Sequence, residues 1–269
     1  LKKEGYDITG ITLKLYNQSN TRNSKSCCAG QDIDDAKKVA EEFDFPHHTY
    51  DYQERFFSGV IDKFVETYSK GETPVPCINC NQTVKFTDLL QETKRINADA
   101  LVTGHYVRRV GSSKDVKLFK AKDEKKDQSY FLFATLKNQL DYLRFPLGDY
   151  LKSEIREIAK NFGLSVKNKP DSQDICFVTT DSYRDLINKL NPELNVEGPF
   201  LDMKENVIGQ HNGITNYTVG QRKGLGIGGF NKPLYVIKID KEKNAIYLGE
   251  LENLKKTIVY LRDINWLDN

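Results

Sequence analysis

The chain has no apolar run approaching the ~18–20 residues needed to cross a bilayer and no charged-then-apolar leader, so neither a membrane anchor nor an export signal can be read in it. Internal repeats and low-complexity segments are absent too. Cysteine is scarce and odd in number, five in 269 residues. That excludes a disulfide scaffold and leaves reduced thiols, metal binding or catalysis. Excess charge of either sign is also missing: 40 basic residues face 38 acidic ones. Any nucleic-acid contact must therefore come from local basic patches and not from a global field. A cytoplasmic protein without a membrane partner is expected. The chain opens on Leu1 and closes on Asp268-Asn269 just after strand-like sequence, and both ends read as cut.

What is present is an ordinary globular composition, 38% hydrophobic and 29% charged, in a length that allows two domains of ~100–200 residues. Three rhythms follow one another. Ile8, Ile11, Leu13 and Leu15 sit in a strand-like stretch from Asp7 to Tyr16, and Ala36, Val39, Ala40 and Phe43 then recur at helical spacing. His47 to Tyr52 is again extended. Phe56, Phe57, Val60, Ile61, Phe64, Val65 and Tyr68 predict a long helix face, and Phe86, Leu89, Leu90 and Ile96 another. Ala100 to Val102 reads as a short buried strand ending at Gly104. Strands alternating with helices imply an α/β fold with a parallel sheet covered on both faces. A basic hairpin is expected over Val107 to Ala121. A helix carrying Ile155, Ile158, Ala159 and Phe162 should stop at Gly163, and a short one with Tyr183, Leu186, Ile187 and Leu190 near Pro192. Beyond it the pattern turns all-β, with a hairpin around Lys204-Glu-Asn206 and a pairing of Leu234–Ile239 with Ala245–Leu248. The expected domains are 1–180, 181–229 and 230–269.

Chemistry concentrates on two cysteines far apart in the chain, Cys80 in Thr73-Pro-Val-Pro-Cys-Ile-Asn-Cys-Asn81 and Cys176 in Asp171-Ser-Gln-Asp-Ile-Cys-Phe177. Cys77-x-x-Cys80 is half of a zinc motif, but no second Cys-x-x-Cys completes it, and Cys27-Cys28 or His47-His48 would do so only at unusual spacing. A redox pair is the other use of such a motif. Pro74, Pro76, Asn79 and Asn81 predict a surface loop there, which argues against two merely buried thiols. Cys176, followed by Phe177 and Val178, also suits a buried strand. Thr103-Gly-His-Tyr106 follows a predicted strand directly, where α/β sheets place ligands. Gly104 would let a ligand approach the backbone and His105 could donate to or stack on a nucleotide, an ordinary surface histidine being the competing reading. Gly224-Leu-Gly-Ile-Gly-Gly229 satisfies G-x-G-x-x-G but neither follows a strand nor opens a helix, so it is not a dinucleotide fingerprint. Behind Arg222 and Lys223, a flexible glycine loop suits phosphate contact better.

Taken together, Pro76-Cys-Ile-Asn-Cys-Asn81 with Val84-Lys-Phe86, Thr103-Gly-His-Tyr106, Lys126-Asp-Gln-Ser-Tyr-Phe-Leu132, Phe145-Pro-Leu-Gly148, Asp171-Ser-Gln-Asp-Ile-Cys-Phe177 and Tyr217-Thr-Val-Gly-Gln-Arg-Lys-Gly-Leu-Gly-Ile-Gly-Gly229 closely resemble the tRNA-specific 2-thiouridylases. The match runs in order over nearly the whole chain. It implies a nucleotide-binding domain of the ATP-pyrophosphatase kind, a small central domain and the start of a C-terminal β-barrel. The reaction it implies uses ATP, with Mg2+, to adenylate the C2 oxygen of the wobble uridine, and a cysteine persulfide to deliver sulfur to C2. By this resemblance Cys176 carries the persulfide and Cys80 is the nucleophile that attacks it, either releasing sulfide or resolving it as a Cys80–Cys176 disulfide. Leu13 and Gly104 match ATP-contacting positions. Val75, Pro76, Cys77, His105, Lys126, Asp127 and Gln128 match positions near the tRNA, and Arg222 and Lys223 join them as phosphate contacts. The implied partners are tRNA and a sulfur donor such as a cysteine desulfurase or a sulfur-relay protein.

Two departures stand out. The family's Ser-Gly-Gly-x-Asp-Ser phosphate loop does not occur in this sequence, and most of the C-terminal barrel is missing, so the piece alone is expected to be unable to adenylate. Cys77 stands where many relatives carry Asp, and a thiol with a pKa near ~8.5 is a poorer base at neutral pH. That substitution opens an alternative, with Cys77, Cys80 and Cys176 ligating a [4Fe–4S] cluster. Two other classes stay open: another ATP-pyrophosphatase such as an amidating synthetase, which needs no cysteine pair, and a non-catalytic tRNA-binding protein.

Overall fold

A computed structural model describes residues 1–16, 30–112, 115–169, 175–178 and 182–267. The Cys27-Cys28 pair, Asp171–Asp174 of the second cysteine motif and the terminal Asp268-Asn269 lie outside the described residues. In chain order the strands are β1 (Gly10–Lys14), β2 (His47–Asp51), β3 (Leu101–Val102), β4 (Val107–Val110), β5 (Lys117–Lys120), β6 (Leu143–Arg144), β7 (Gly198–Leu201), β8 (Val207–His211), β9 (Tyr235–Asp240) and β10 (Ala245–Gly249). The α-helices are α1 (Gly30–Glu42), α2 (Gln53–Phe56), α3 (Asp62–Ser69), α4 (Pro76–Cys80), α5 (Leu90–Arg95), α6 (Lys137–Leu140), α7 (Lys152–Asn161) and α8 (Tyr183–Leu190). Two compact units form, one of Leu1–Val60, Pro76–Thr179 and Asp263–Asn269, the other of Ile61–Val75 and Thr180–Arg262.

The first unit holds the alternating β/α pattern. β1 and β2 run parallel in register from Gly10↔His47 to Lys14↔Asp51, with α1 between them in the chain. Leu13, Leu15 and Ala40 are buried there, as the apolar positions require. β3 pairs in parallel with β6, and β4 with β5 as the expected antiparallel hairpin.

Helix regularity breaks in two places. The predicted face from Phe56 to Tyr68 is α at Gln53–Phe56, π at Phe57–Ile61 and α again at Asp62–Ser69, and Phe57 is exposed instead of joining the apolar stripe. The second break follows Cys80, where Asn81–Leu89 is a π-helix. Its buried side chains, Asn81 with Phe86 and Val84 with Leu89, recur at the i, i+5 spacing that a π-helix aligns. The Thr87 hydroxyl donates to the Gln82 carbonyl, also five residues back, and Gln139 Nε2 donates to the Phe86 carbonyl at 2.8 Å. Backbone acceptors loosened by the wider helix thus keep partners.

Three further expectations are corrected. The segment around Cys77 and Cys80 is not a loop: Pro76 opens α4, where its missing N–H costs nothing, and Pro76, Ile78, Cys80 and Asn81 are buried. Cys176 sits in a turn closed by the Val178 N–H on the Ile175 carbonyl at 3.0 Å, not in a strand. α7 does stop at Gly163, with φ +74°, but Ile158 and Phe162 remain exposed; Phe162 packs edge-to-face with Phe43 at 6.2 Å and lies under the Lys3 ammonium at 4.4 Å.

The second unit carries a four-stranded sheet in the order β8-β7-β10-β9. The expected hairpin around Lys204–Asn206 joins β7 to β8, its turn held by Asp202 Oδ1, which accepts from the Lys204 and Asn206 N–H groups. The expected pairing of β9 with β10 is also present. Phe200, Ile214, Tyr217, Leu225, Val236, Ile246 and Leu248 form its core. His211, buried beside them, accepts from the Gly213 N–H on Nδ1 and so donates from Nε2 to the Asn244 carbonyl at 3.1 Å. Burial holds its pKa below the ordinary value, which keeps it neutral.

Candidate functional site

In open α/β sheets, ligands sit beyond the carboxyl ends of the strands. At the end of β1, the buried Leu13 is followed by Leu15 and Tyr16, and the Tyr16 ring lies 6.4 Å from Phe56. Phe56 is fully buried and receives, on its edge at 5.7 Å, the ring of Phe177, the residue after Cys176. One residue thus joins the first strand's end to the turn that carries Cys176.

The same helical turn reaches the other cysteine. A Cβ at Gly59 would lie 3.3 Å from Thr83 Oγ1, so the backbone at Gly59 sits against the Thr83 side chain. Thr83 donates to the Asn79 carbonyl at 2.7 Å, and Arg55 pairs with Asp88 at 2.5 Å. The stretch Asn79–Asp88, with Cys80 near its start, is therefore pinned to the Arg55–Gly59 stretch that also receives Phe177. Cys77 is exposed, Cys80 buried and Cys176 half-buried.

Beyond β3 lies Thr103-Gly-His-Tyr106. His105 packs between the rings of Phe86 at 5.9 Å and Phe145 at 6.2 Å and shares a 2.9 Å hydrogen bond with Thr103 Oγ1 through Nδ1. Burial, helped by the nearby Lys85 charge, pushes its pKa down to about 3. His105 is therefore neutral at physiological pH and can serve as a hydrogen-bonding or stacking group, not as a cation for phosphate. Between the unfolded value of ~6.5 and the folded value, acid protonates the unfolded ring first. This contribution to stability is complete above pH ~6.5 and falls away as the pH drops toward 3. In an NMR titration the His105 ring should show no protonation step between pH 7 and 5; a midpoint near ~6.5 would mean a solvated ring.

The Lys126-Asp127-Gln128 segment is shaped by its own side chains. Burial works against the Asp127 carboxylate, but hydrogen bonds from the Ser129 hydroxyl at 2.6 Å and the Ala121 N–H at 2.8 Å outweigh it and hold its pKa below the usual range. Gln128 Oε1 accepts from the Tyr106 N–H while the Gln128 N–H donates to the Tyr106 carbonyl. Asp127 and Gln128 thus fix the loop and tie it to the residue after His105. Neither side chain is aimed wholly outward. Asn81, next to Cys80, donates to the Phe131 carbonyl at 3.1 Å and ties the helical segment that follows Cys80 to this loop.

One cleft of about 410 Å3 opens at the opposite, amino ends of β1 and β2, lined by Gly10, Thr12, His47, Asp32, Asp35 and Lys169. Lys169 is ion-paired to both aspartates there. No cysteine is among its lining residues. Among the described residues no group of three His, Cys, Asp or Glu side chains is placed to hold a metal, so Cys77, Cys80 and Cys176 do not form a ready cluster site.

A family model described as "tRNA methyl transferase HUP domain" matches residues 1–180, and one described as "tRNA methyl transferase PRC-barrel domain" matches residues 184–250. The tRNA-specific 2-thiouridylase MnmA of Wolbachia sp. subsp. Drosophila simulans is 53% identical over 98% of this chain and 71% of its own length. That of Bartonella bacilliformis is 52% identical over 99% of the chain and 68% of its own length. The chain belongs to the tRNA-specific 2-thiouridylase family. It has that family's nucleotide-binding α/β domain of the ATP-pyrophosphatase kind and a smaller barrel-like domain. That of Ehrlichia ruminantium, strain Welgevonden, is 51% identical over 99% of this chain.

Of the residues matched to the family's sites, Leu13, Pro76, Cys77, Cys80, Gly104, His105, Lys126, Asp127, Gln128 and Cys176 lie in the first unit. Val75, Arg222 and Lys223 lie in the second. The glycine loop behind Arg222 is tied down on both sides: Gln221 donates from Nε2 to the Lys223 carbonyl and accepts from the Val236 N–H, and Leu225 is buried in the core. Two exposed cations, Arg222 and Lys223, are thus presented between the anchored Gln221 and Leu225. Phe56 escaped the sequence reading as part of the site, while Asn81, Phe86 and Phe145 stood inside the resembling motifs without a role; the i, i+5 spacing of Asn81 and Phe86 was a further signal of their burial.

Proposed function

We propose that the protein installs sulfur at C2 of the wobble uridine in tRNA, with ATP activating the C2 oxygen and a persulfide on Cys176 supplying the sulfur. The observation that carries this reading is the convergence of both cysteine segments and the end of β1 on the Arg55–Gly59 stretch. A carbonyl oxygen is a very poor leaving group. Its attack on the α-phosphorus of ATP, releasing pyrophosphate, turns it into an adenylate that leaves as AMP. The terminal sulfur of the Cys176 persulfide then bonds to C2. Attack by the Cys80 thiolate on Cys176 Sγ breaks the sulfur–sulfur bond, leaves sulfur on the base and creates a Cys80–Cys176 disulfide. An external thiol must supply two electrons to reset it.

Leu13 and Gly104 are the positions we assign to ATP, whose phosphates would carry Mg2+. Pro76, Cys77, His105 and the Lys126–Gln128 loop would face the target base and its flanks. Three gathered thiolates are what a [4Fe–4S] cluster would need, and the donor set does not fit one as placed. No step is routed through it. A cysteine desulfurase or relay protein in the cytoplasm would load Cys176. Among the described residues no helix is long and apolar enough to cross a membrane.

The family model's description speaks of methyl transfer and the relatives' names of thiolation. The cysteine pair favours sulfur. Incubating the full-length protein with unmodified tRNA, ATP and a persulfide donor, then digesting the tRNA for nucleoside mass spectrometry, should give 2-thiouridine. A methylated nucleoside, or a product that forms without ATP, would overturn the proposal. Replacing Arg222 and Lys223 by Ala should weaken tRNA binding and flatten the dependence of log affinity on log salt by about one to two units, because each phosphate contact releases counterions. An unchanged slope in a filter-binding series would mark them as a solvated loop.

A further inference from the structure

Asn81 is 3% exposed, and its amide is satisfied on one side only. Nδ2 donates to the Phe131 carbonyl, while Oδ1 is buried with no hydrogen-bond partner. Leaving a buried acceptor unsatisfied costs about 1–3 kcal/mol. A leucine, with the same branching and number of side-chain heavy atoms though a larger volume, would avoid that cost, so packing alone does not account for an amide here. The residue also begins the π-helix, a distortion found mostly at functional sites, and directly follows Cys80. Its one bond runs to the short helical turn Ser129–Leu132, which continues from the Lys126–Gln128 loop. That loop is in turn paired through Gln128 to Tyr106, beside His105.

From this we propose that Asn81 is a positioning residue for Cys80: its bond to Phe131 fixes the thiol's helix against the loop that faces the RNA. The inference rests on Cys80 being the nucleophile. It assigns Asn81 no contact with substrate. The second tether of the same π-helix, Gln139 to the Phe86 carbonyl, lies at the far end and serves as an internal comparison.

In the full-length enzyme, Asn81→Asp keeps the shape and removes the donor, and Asn81→Ala removes both. Each should lower kcat for thiolation by about 10- to 100-fold with the KM for tRNA close to the parent's, and each should also lower the melting temperature by several degrees, because the Phe131 carbonyl loses its donor. Gln139→Leu, which frees the other tether, should leave kcat within about threefold. Equal losses in Asn81→Asp and Gln139→Leu would show a general structural role and overturn the proposal, as would an Asn81→Asp enzyme with parental kcat. If Asn81→Ala folds poorly, Asn81→Ser decides, because its hydroxyl sits one bond short of the amide nitrogen and does not span to the Phe131 carbonyl: recovery of folding without recovery of kcat supports positioning, and recovery of both overturns it. Cys80→Ser is run alongside. Residual thiolation by that variant would sink the nucleophile assignment itself, and with it the role of Asn81, whereas an inactive Cys80→Ser with an unaffected Asn81→Asp sinks only the present inference.

Discussion

Cys80→Ser should abolish tRNA thiolation, by a factor on the order of 10³ or more, and yet leave sulfur loading intact. A hydroxyl at Cys80 cannot attack Cys176 Sγ at neutral pH, so the persulfide should persist. Intact-protein mass spectrometry after treatment with a persulfide donor would then show a species one sulfur atom heavier, with the extra sulfur on the peptide containing Cys176. Cys176→Ser should be equally inactive but should not take up that sulfur. The asymmetry separates the two roles, since one thiol receives the atom and the other expels it. A Cys80→Ser enzyme that still thiolates tRNA, or one that carries its sulfur on Cys77, would remove the assignment. Cys77 is exposed and belongs to the same short helix, which makes it the competitor to exclude.

Burial gives these thiols different chemistry. Cys80 is held in a helix whose buried face includes Pro76, Ile78 and Asn81, so its direction is set before any RNA arrives. Cys176 sits half-buried in a turn, fastened on one side by Phe177 against Phe56. In the roles proposed for them, a half-buried sulfur acceptor and a sheltered nucleophile suit a relay in which a partner protein must reach only one of the two.

Much of the fold was legible because periodicity records burial. The β1-α1-β2 order, the β4–β5 hairpin and the two hairpins of the second unit follow from alternation and, for the first of these two, from the turn residues Lys204-Glu-Asn206. The errors have physical causes. Prolines at 74 and 76 read as loop punctuation, but a proline at the first position of a helix loses no hydrogen bond, and α4 begins at Pro76. Ile96 counts toward a helical stripe, yet it lies just past the end of α5 and is exposed. π-helical stretches shift the phase of an apolar stripe, which a 3.6-residue reading cannot follow. Site residues were legible only where a motif named them. Phe56 looks like any core phenylalanine, and only long-range packing shows that Tyr16 and Phe177 meet on it.

Two glycines of the resemblance motifs look alike in sequence and should behave in opposite ways. Gly148 ends Phe145-Pro-Leu-Gly148, and its backbone passes so close to β4 that an added Cβ would collide with the carbonyl group of Val107 and come within 3.0 Å of the Arg108 nitrogen. Those atoms belong to a strand paired with β5, and the Gly148 carbonyl itself accepts from the Lys122 N–H at 2.9 Å, so neither side can withdraw cheaply. Gly148→Ala should cost at least about 3 kcal/mol and lower the melting temperature by roughly 10 °C. Gly104 is different. Among the described residues a Cβ there would meet only Leu147 Cδ1, at 3.6 Å, an ordinary contact, so Gly104→Ala should change stability by less than about 0.5 kcal/mol. What a methyl group at Gly104 does obstruct is the space beyond the end of β3, where we place ATP. In the full-length enzyme that variant should raise the KM for ATP by about tenfold or more, equivalent to ~1.4 kcal/mol of lost binding, with tRNA affinity unchanged. Calorimetry and ATP-dependent kinetics on the two variants provide the check. A Gly104→Ala enzyme with parental ATP kinetics would move the nucleotide away from β3, and a Gly148→Ala protein as stable as its parent would mean that β4 can yield.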